Sequence, residues 1–276
     1  MGRPPGGGAV KPILRYFGAK WAMASWIIDR LPAHVCYVEP FGGSAAVLLT
    51  KQPSRHEVLN DIDGDVVTFF RVLRTQPEEL ARQAVMTPHS RAELELAFEP
   101  ADDDLERARR FFVRSWQTYG GYRRTGQTGF RFDSKRDDYN GTLMWARAPM
   151  KLLPAAARLK RVIIEHDDWR RVIDRYDGPE TVFYCDPTYL AATRTAKYEY
   201  HHEMTPADHE ELLGRLQTIQ GMALVSGYRS ELYDQALADW ARHDLEVKAL
   251  SNAERVESLW CSPRAEAGRA QMRLAL

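Results

Sequence analysis

The stretch Tyr184-Cys185-Asp186-Pro187-Thr188-Tyr189 gathers a carboxylate, a proline carbonyl and an aromatic ring directly after an apolar run. Pro187 offers a carbonyl acceptor with no competing N–H of its own. Paired with the Asp186 carboxylate, it suits an exocyclic NH2, which presents two N–H donors, and Tyr189 can stack on a flat heterocycle. A plain strand-end turn accounts for the same residues, because Asp-Pro is common in turns. A second stretch, Glu39-Pro40-Phe41-Gly42-Gly43-Ser44, follows another short apolar run and opens a helix candidate. Glycines let the backbone come close to a ligand, and a helix N-terminus presents free N–H groups. About 20 residues on, Asp61 ends the next strand, where a carboxylate can accept both hydroxyls of a ribose. Neither G-x-G-x-x-G nor G-x-x-x-x-G-K-[ST] occurs. NAD and nucleoside triphosphates are therefore disfavoured, which leaves a ribose-bearing ligand without a long phosphate chain, or a purely structural turn.

The remaining reactive side chains carry less. His201, His202 and His209 cluster in sequence, but no Cys or second acid completes a zinc spacing, so no metal is expected. Cys185 reads as a small buried side chain rather than a nucleophile. Cys36, Cys185 and Cys261, far apart and odd in number, argue against a disulfide framework and for a reducing, cytoplasmic setting.

Elements that could position these residues alternate along the chain. Trp21 to Leu31 has helical spacing; Val35 to Val38 is a strand candidate; Ala45 to Thr50 a helix; Val58-Leu59 a strand. Strand, glycine turn, helix, strand is a βαβ unit, which predicts a parallel sheet covered by helices. Val66 to Leu73, Pro77 to Val85 and Leu105 to Trp116 read as helices, and Tyr119 to Gly141 as a long loop. The strand–helix rhythm returns with strands at Val162 to Ile164 and Thr181 to Tyr184. Thr205-Pro206-Ala207-Asp208 is a helix start, with a capping Thr, a first-turn Pro and an acid at the third helical position. That helix runs to about Gln220, followed by a strand at Ala223 to Ser226, a helix at Glu231 to Arg242 and a strand at Leu245 to Leu250. Trp145, Met150 and Leu152 are expected in the core, and Tyr198 to Met204 reads as a mobile loop over the site.

The 276 residues include 38 basic and 38 acidic side chains, a formal net charge of +0 that by itself points away from nucleic acid. The distribution is lopsided. Between Leu105 and Arg136, nine basic residues face two acids, a local +7 in 32 residues interleaved with seven aromatics. Such a mixture suits a surface that tracks phosphates and contacts bases, or equally an Arg-rich solvated helix and loop. No apolar run approaches the roughly 20 residues needed to cross a bilayer, and Met1 to Gly8 reads as a flexible leader.

Asp186-Pro187-Thr188-Tyr189 is similar to the D-P-P-Y tetrapeptide of amino-group DNA methyltransferases. Tyr16-Phe17-Gly18-Ala19-Lys20, the Glu39–Ser44 turn, Asn60-Asp61-Ile62, Ser226-Gly227-Tyr228 and Glu257-Ser258-Leu259-Trp260 resemble, in order, segments of the Dam-like DNA adenine-N6 methyltransferases. The resemblance implies an α/β, Rossmann-like S-adenosylmethionine-dependent methyltransferase sheet with a mainly helical target-recognition insertion. It implies S-adenosylmethionine as methyl donor and the N6 of a flipped adenine in double-stranded DNA as acceptor. Tyr16, Lys20, Glu39, Phe41, Gly42, Gly43, Ser44, Asp61 and Asp186 would bind the donor; Asp186, Pro187 and Tyr189 would act on the target amine. Asp167-Asp168-Trp169 would contact the donor's adenine or merely cap a helix. Expected DNA contacts are Arg114, Tyr119, Tyr122, Arg123, Arg124, Arg131 and Lys135. The division that follows is a leader at 1–12, a catalytic domain at 13–65 and 159–276, and the recognition insertion at 66–158. The chain would act as a monomer or weak dimer in restriction-modification or phage modification, with a cognate restriction endonuclease as one partner. Two departures stand out: Thr188 replaces the second proline, which costs about 0.4–1 kcal/mol of preorganisation, and Gly126 to Phe132 matches the family only loosely. Thr188 motivates the alternative of a catalytically silent DNA-binding protein. Cytosine-N4 methylation is a further alternative, disfavoured because those enzymes usually carry Ser at the position of Asp186.

Overall fold

The computed structural model describes residues 12–16, 18–119, 121, 129–132, 140–193, 202–248 and 254–274. The strands are β1 (Cys36–Glu39), β2 (His56–Asn60), β3 (Val162–Glu165), β4 (Thr181–Cys185), β5 (Met222–Gly227), β6 (Ala241–Lys248) and β7 (Glu254–Cys261). They join in one sheet of order β3-β2-β1-β4-β5-β7-β6. The first five in that order run parallel, while β7 is antiparallel to both β5 and β6.

Side chains alternate across the strands and so feed two cores. Tyr37, Val182, Tyr184 and Leu224 point into one, Val38, Phe183, Cys185 and Val225 into the other. The first face is covered by α1 (Ala24–Ile28), α2 (Ala46–Thr50), α3 (Gly64–Thr75), α4 (Pro77–Met86), α5 (Arg91–Leu96), α6 (Asp104–Gln117), α7 (Gly141–Arg147) and α8 (Leu152–Leu159). The second is covered by α9 (Trp169–Tyr176), α10 (Pro206–Thr218) and α11 (Glu231–Ala236), and α12 (Pro263–Leu274) returns to the first through Ala265. The result is the three-layer α/β/α architecture expected of a βαβ chain.

Helices α3 to α8 all lie in the crossover from β2 to β3. Their centre is aromatic: Phe69, Phe70, Phe111, Phe112, Trp116 and Trp145 are all buried, and the Phe69 and Phe112 rings stack at 6.0 Å. This cluster is continuous with Leu48 of α2 and with Leu59 and Tyr184 of the sheet. Trp116 Nε1 donates to the Ile13 carbonyl (2.9 Å) and Arg15 N to Ser115 Oγ (2.7 Å), which ties α6 to the segment leading into Tyr16. The expected boundary between 65 and 66 falls inside α3.

Several expectations need correction. Trp21 to Leu31 is not one helix but a 3₁₀ turn, Lys20–Ala22, and the short α1. Ala241 and Arg242 belong to β6 rather than to the preceding helix, which stops at Ala236. Strand β7 and helices α5, α7, α8, α9 and α12 were not foreseen as elements. Trp145 and Leu152 are buried, but Met150 is 75% exposed on the surface. The long loop is pinned at its base, where Thr118 pairs with Phe130 and Tyr119 N donates to the Gly129 carbonyl (2.8 Å). The leader through residue 11 lies outside the described residues. Among those described, no helix is long and apolar enough to cross a membrane.

Candidate functional site

In the sheet order, connections from β1 lead one way through β2 to β3, and β4 leads the other way to β5. This reversal between β1 and β4 is the switch point where open parallel sheets leave a crevice at the carboxyl ends of their strands. The turns after β1, β2, β3 and β4 all open into one cleft there.

The turn after β1 is shaped by close backbone contacts. Gly42 N donates to the Asn60 carbonyl (2.7 Å), and a Cβ on Gly42 would sit 2.8 Å from that oxygen, so no larger residue fits. Gly43 adopts φ +48° beneath the Tyr16 ring, and Ala45 enters α2 at φ 52°, a conformation uncommon for a residue with a side chain. Asn60 holds this turn to its neighbours: its Nδ2 donates to the carbonyls of Pro40 and Asp167, and its Oδ1 accepts from Asp167 N. Asp61 then receives Gly43 N on Oδ2 (2.7 Å) and Asp63 N on Oδ1 (2.8 Å). Burial raises the Asp61 pKa to about 6 despite these two amides. Each oxygen keeps a lone pair for a further donor.

Glu39, at the end of β1, is almost wholly buried, and its Oε1 accepts from both Tyr37 OH (2.7 Å) and Leu48 N (2.8 Å). Burial lifts its pKa to about 8. Phe41 and Trp169 face each other at 6.1 Å and supply an apolar wall. Asp168 caps α9 by accepting from Arg170 N (2.8 Å), the second of the roles considered for it, and also borders the cleft.

The turn after β4 faces these groups. Asp186 Oδ1 accepts from Ser226 Oγ of β5 (2.7 Å) and pairs with Lys20 Nζ (2.9 Å). Tyr184 OH lies 3.1 Å from Ser226 Oγ; since the serine proton is directed at Asp186, the tyrosine is the donor. Burial opposes the Lys20 charge, but Asp186 and Glu257 outweigh it and hold its pKa above the usual lysine value. Lys20 Nζ also lies 4.8 Å from the centre of the Tyr189 ring, within cation–π range. Tyr189 OH donates to Glu257 Oε2 of β7 (2.6 Å), and Tyr228 meets its ring edge-on at 4.6 Å. Oδ1 of Asp186 thus carries two donors, and among the described residues its second oxygen carries none and can receive an amine.

Every residue singled out for donor binding or catalysis, from Tyr16 and Lys20 through Ser44 and Asp61 to Asp186, Pro187 and Tyr189, lines this one cleft. The expected DNA contacts behave differently. Arg114 is turned inward to Asp65 (2.6 Å), and Arg131 is nearly buried, which pushes its guanidinium pKa down to about 10. Tyr119 is exposed. Tyr122, Arg123, Arg124 and Lys135 lie outside the described residues. Of the histidines, His202 borders the cleft and His209 is buried, with Nδ1 2.8 Å from Tyr233 OH.

Residues 16–251 match the description D12 class N6 adenine-specific DNA methyltransferase. The chain belongs to that family. It is 25% identical over 202 residues to the DNA adenine methylase of Salmonella typhi, which covers 70% of this chain and 69% of that protein. It is 23% identical, over the same shares, to the DNA adenine methylase of Escherichia coli K12. To the Type II methyltransferase M.MjaIII of Methanocaldococcus jannaschii it is 23% identical over 227 residues, 74% of this chain and 77% of that one. The methyltransferase reading of the sequence, its α/β sheet and its adenine specificity therefore hold at the level of the family.

Three residues around the cleft have roles that the sequence does not announce. Asn60 is the tie between three turns, and Ser226 and Glu257 are the partners of Asp186 and Tyr189. The last two were visible only as members of family-like segments, with nothing in their spacing to say what they touch.

Proposed function

We propose that this chain is a site-specific enzyme that transfers the methyl group of S-adenosylmethionine to N6 of an adenine flipped out of double-stranded DNA. The carrying observation is that the Asp186-Pro187-Thr188-Tyr189 turn and the Gly42-Gly43 turn open into the same cleft. The donor's chemistry fits the lining: Asp61 has lone pairs left for ribose hydroxyls, Phe41 and Trp169 bound an apolar space for a flat ring, and the Gly42-Gly43 turn lines the same cleft. Bound there, S-adenosylmethionine supplies an electrophilic methyl on a sulfonium.

An adenine amine is a weak nucleophile because its lone pair is delocalised into the ring. The free oxygen of Asp186 and the Pro187 carbonyl accept its two hydrogens, favour its pyramidal form and aim the lone pair. Lys20 and Ser226 hold the carboxylate in one orientation, so no reorganisation is needed as charge develops on the nitrogen. Tyr189, clamped by Glu257, supports the flipped base, whose extrusion costs a few kcal/mol.

Purified protein with labelled S-adenosylmethionine and unmethylated duplex DNA is expected to put label into adenine, and Asp186→Ala to reduce transfer by about 10²–10³-fold or more. Label in cytosine would overturn the choice of base, and donor binding without transfer would favour a silent DNA-binding protein.

A further inference from the structure

Thr188 stands where the family tetrapeptide has its second proline, and in this structure its side chain makes a contact that proline cannot make. The Thr188 Oγ1 accepts the backbone N–H of Met204 (3.0 Å). Met204 directly precedes Thr205, the capping residue of α10, whose hydroxyl and amide are both engaged with the Asp208 carboxylate. Asp208 in turn pairs with Arg170 (2.6 Å) of α9. Thr188, Met204, Asp208 and Arg170 all border the cleft, and Met204 packs in the same apolar cluster as Phe41 and Trp169. One hydroxyl thus joins the catalytic turn to a rim built from two other elements.

We infer that Thr188 is a positioning residue that fixes the 202–205 rim of the cleft against the catalytic turn, and so sets the affinity for the methyl donor. The inference rests on the donor reading given above. A proline at 188 has no acceptor in its side chain, so the Met204 amide would lose this partner and the rim its tie. The substitution exchanges stiffness inside the tetrapeptide for an anchor outside it. Because Asp186 and Tyr189 have their own supports in Lys20, Ser226 and Glu257, loss of the anchor acts on binding more than on the chemical step.

The test compares Thr188→Val, which removes the hydroxyl at nearly constant shape, with Thr188→Ser, which keeps it, and Thr188→Pro, the family residue. Isothermal titration with S-adenosylmethionine alone should show roughly fivefold weaker binding for Thr188→Val and Thr188→Pro, the worth of one ordinary hydrogen bond. Thr188→Ser should stay within about twofold of the unaltered chain. Hydrogen exchange should show the Met204 amide losing protection in the Val variant and keeping it in the Ser variant. With saturating DNA and the donor varied, KM for S-adenosylmethionine should move more than kcat. Equal donor affinity in the unaltered and Val chains, or a Ser variant as weak as Val, overturns the inference and leaves the proposed function standing. If the unaltered chain does not bind S-adenosylmethionine, both fall.

Discussion

On the proposed reading, in which Asp61 takes the ribose hydroxyls of the donor, its ionisation bears directly on donor binding. Burial sets its pKa at about 6, with Asp63 adding repulsion while the Asp63 and Gly43 amides and His202 favour the charged form. Ribose hydroxyls donate to a carboxylate and not to the proton-bearing oxygen of the acid, so binding selects the ionised state. Donor affinity should accordingly be flat above neutrality and fall about tenfold between pH 7 and pH 5. Titration calorimetry across that range checks it, and Asp61→Asn should bind more weakly with the slope removed; a slope that survives in Asp61→Asn would assign it to another group. At this scale the sequence was a good guide to which residues gather in the cleft and a poor guide to what holds them. Asp186, Tyr189 and Asp61 were identifiable because their chemistry is local. Ser226 and Glu257, which lie 40 and 68 residues from their partners, were not, because contacts across a sheet leave no spacing to read. The Thr188 hydroxyl has the same character. Its hydrogen bond contributes about 0.5–1.5 kcal/mol, comparable to the about 0.4–1 kcal/mol lost with the proline.

Between residue and fold, the unit that works is the strand-end turn. The turn after β1 keeps its shape because Gly42 N, the Asn60 side chain and the Asp61 carboxylate lace it to the ends of β2 and β3. Gly42→Ala would press a methyl against the Asn60 carbonyl and against Leu59 Cδ1, 2.6 Å away. The strand end must shift, at a cost of about 1–3 kcal/mol. Thermal unfolding should register that loss as a lower Tm, and donor affinity should drop with it. Unchanged donor binding in a folded Gly42→Ala protein would mean that the turn does not serve the ligand. The strands that carry these turns were legible, since β1, β2, β4 and β5 are compact apolar runs buried on both faces. The hairpin of β6 and β7 was not. β6 is an edge strand whose Arg242, Asp244 and Glu246 are exposed, and Leu232, Ala236 and Trp240 upstream have helical spacing that ran the predicted helix too far. Pairing of Ala241 with Cys261 and Arg242 with Trp260 overrides that local preference.

Charge is a property of the whole molecule, and here the fold redistributes it. The basic segment of α6 is spent internally. Arg107 and Arg114 converge on Asp65, Arg109 binds Glu93 and Glu106, and Arg110 binds Glu106. Two of these acids, Asp65 and Glu93, lie outside the stretch that carried the local +7, which is why a count along the chain overstated the charge offered to DNA. The helix is held in the crossover by these pairs and by its aromatic face, so its arginines stabilise the fold. Arg109, at 10% side-chain exposure and with Thr87 Oγ1 as a further acceptor, is the clearest case. Arg109→Ala should destabilise by on the order of 3 kcal/mol, because Glu93 would lose the Arg109 cation and Glu106 would keep only Arg110. The salt dependence of DNA binding should not change in that variant. Arg123→Ala combined with Arg124→Ala should do the reverse, leaving Tm in place and reducing the slope of log K against log salt by about 1.8 if both cations meet phosphates. Equal slopes in the double variant and the unaltered chain would move the DNA grip to other residues, and a reduced slope in Arg109→Ala would show that α6 faces the duplex after all.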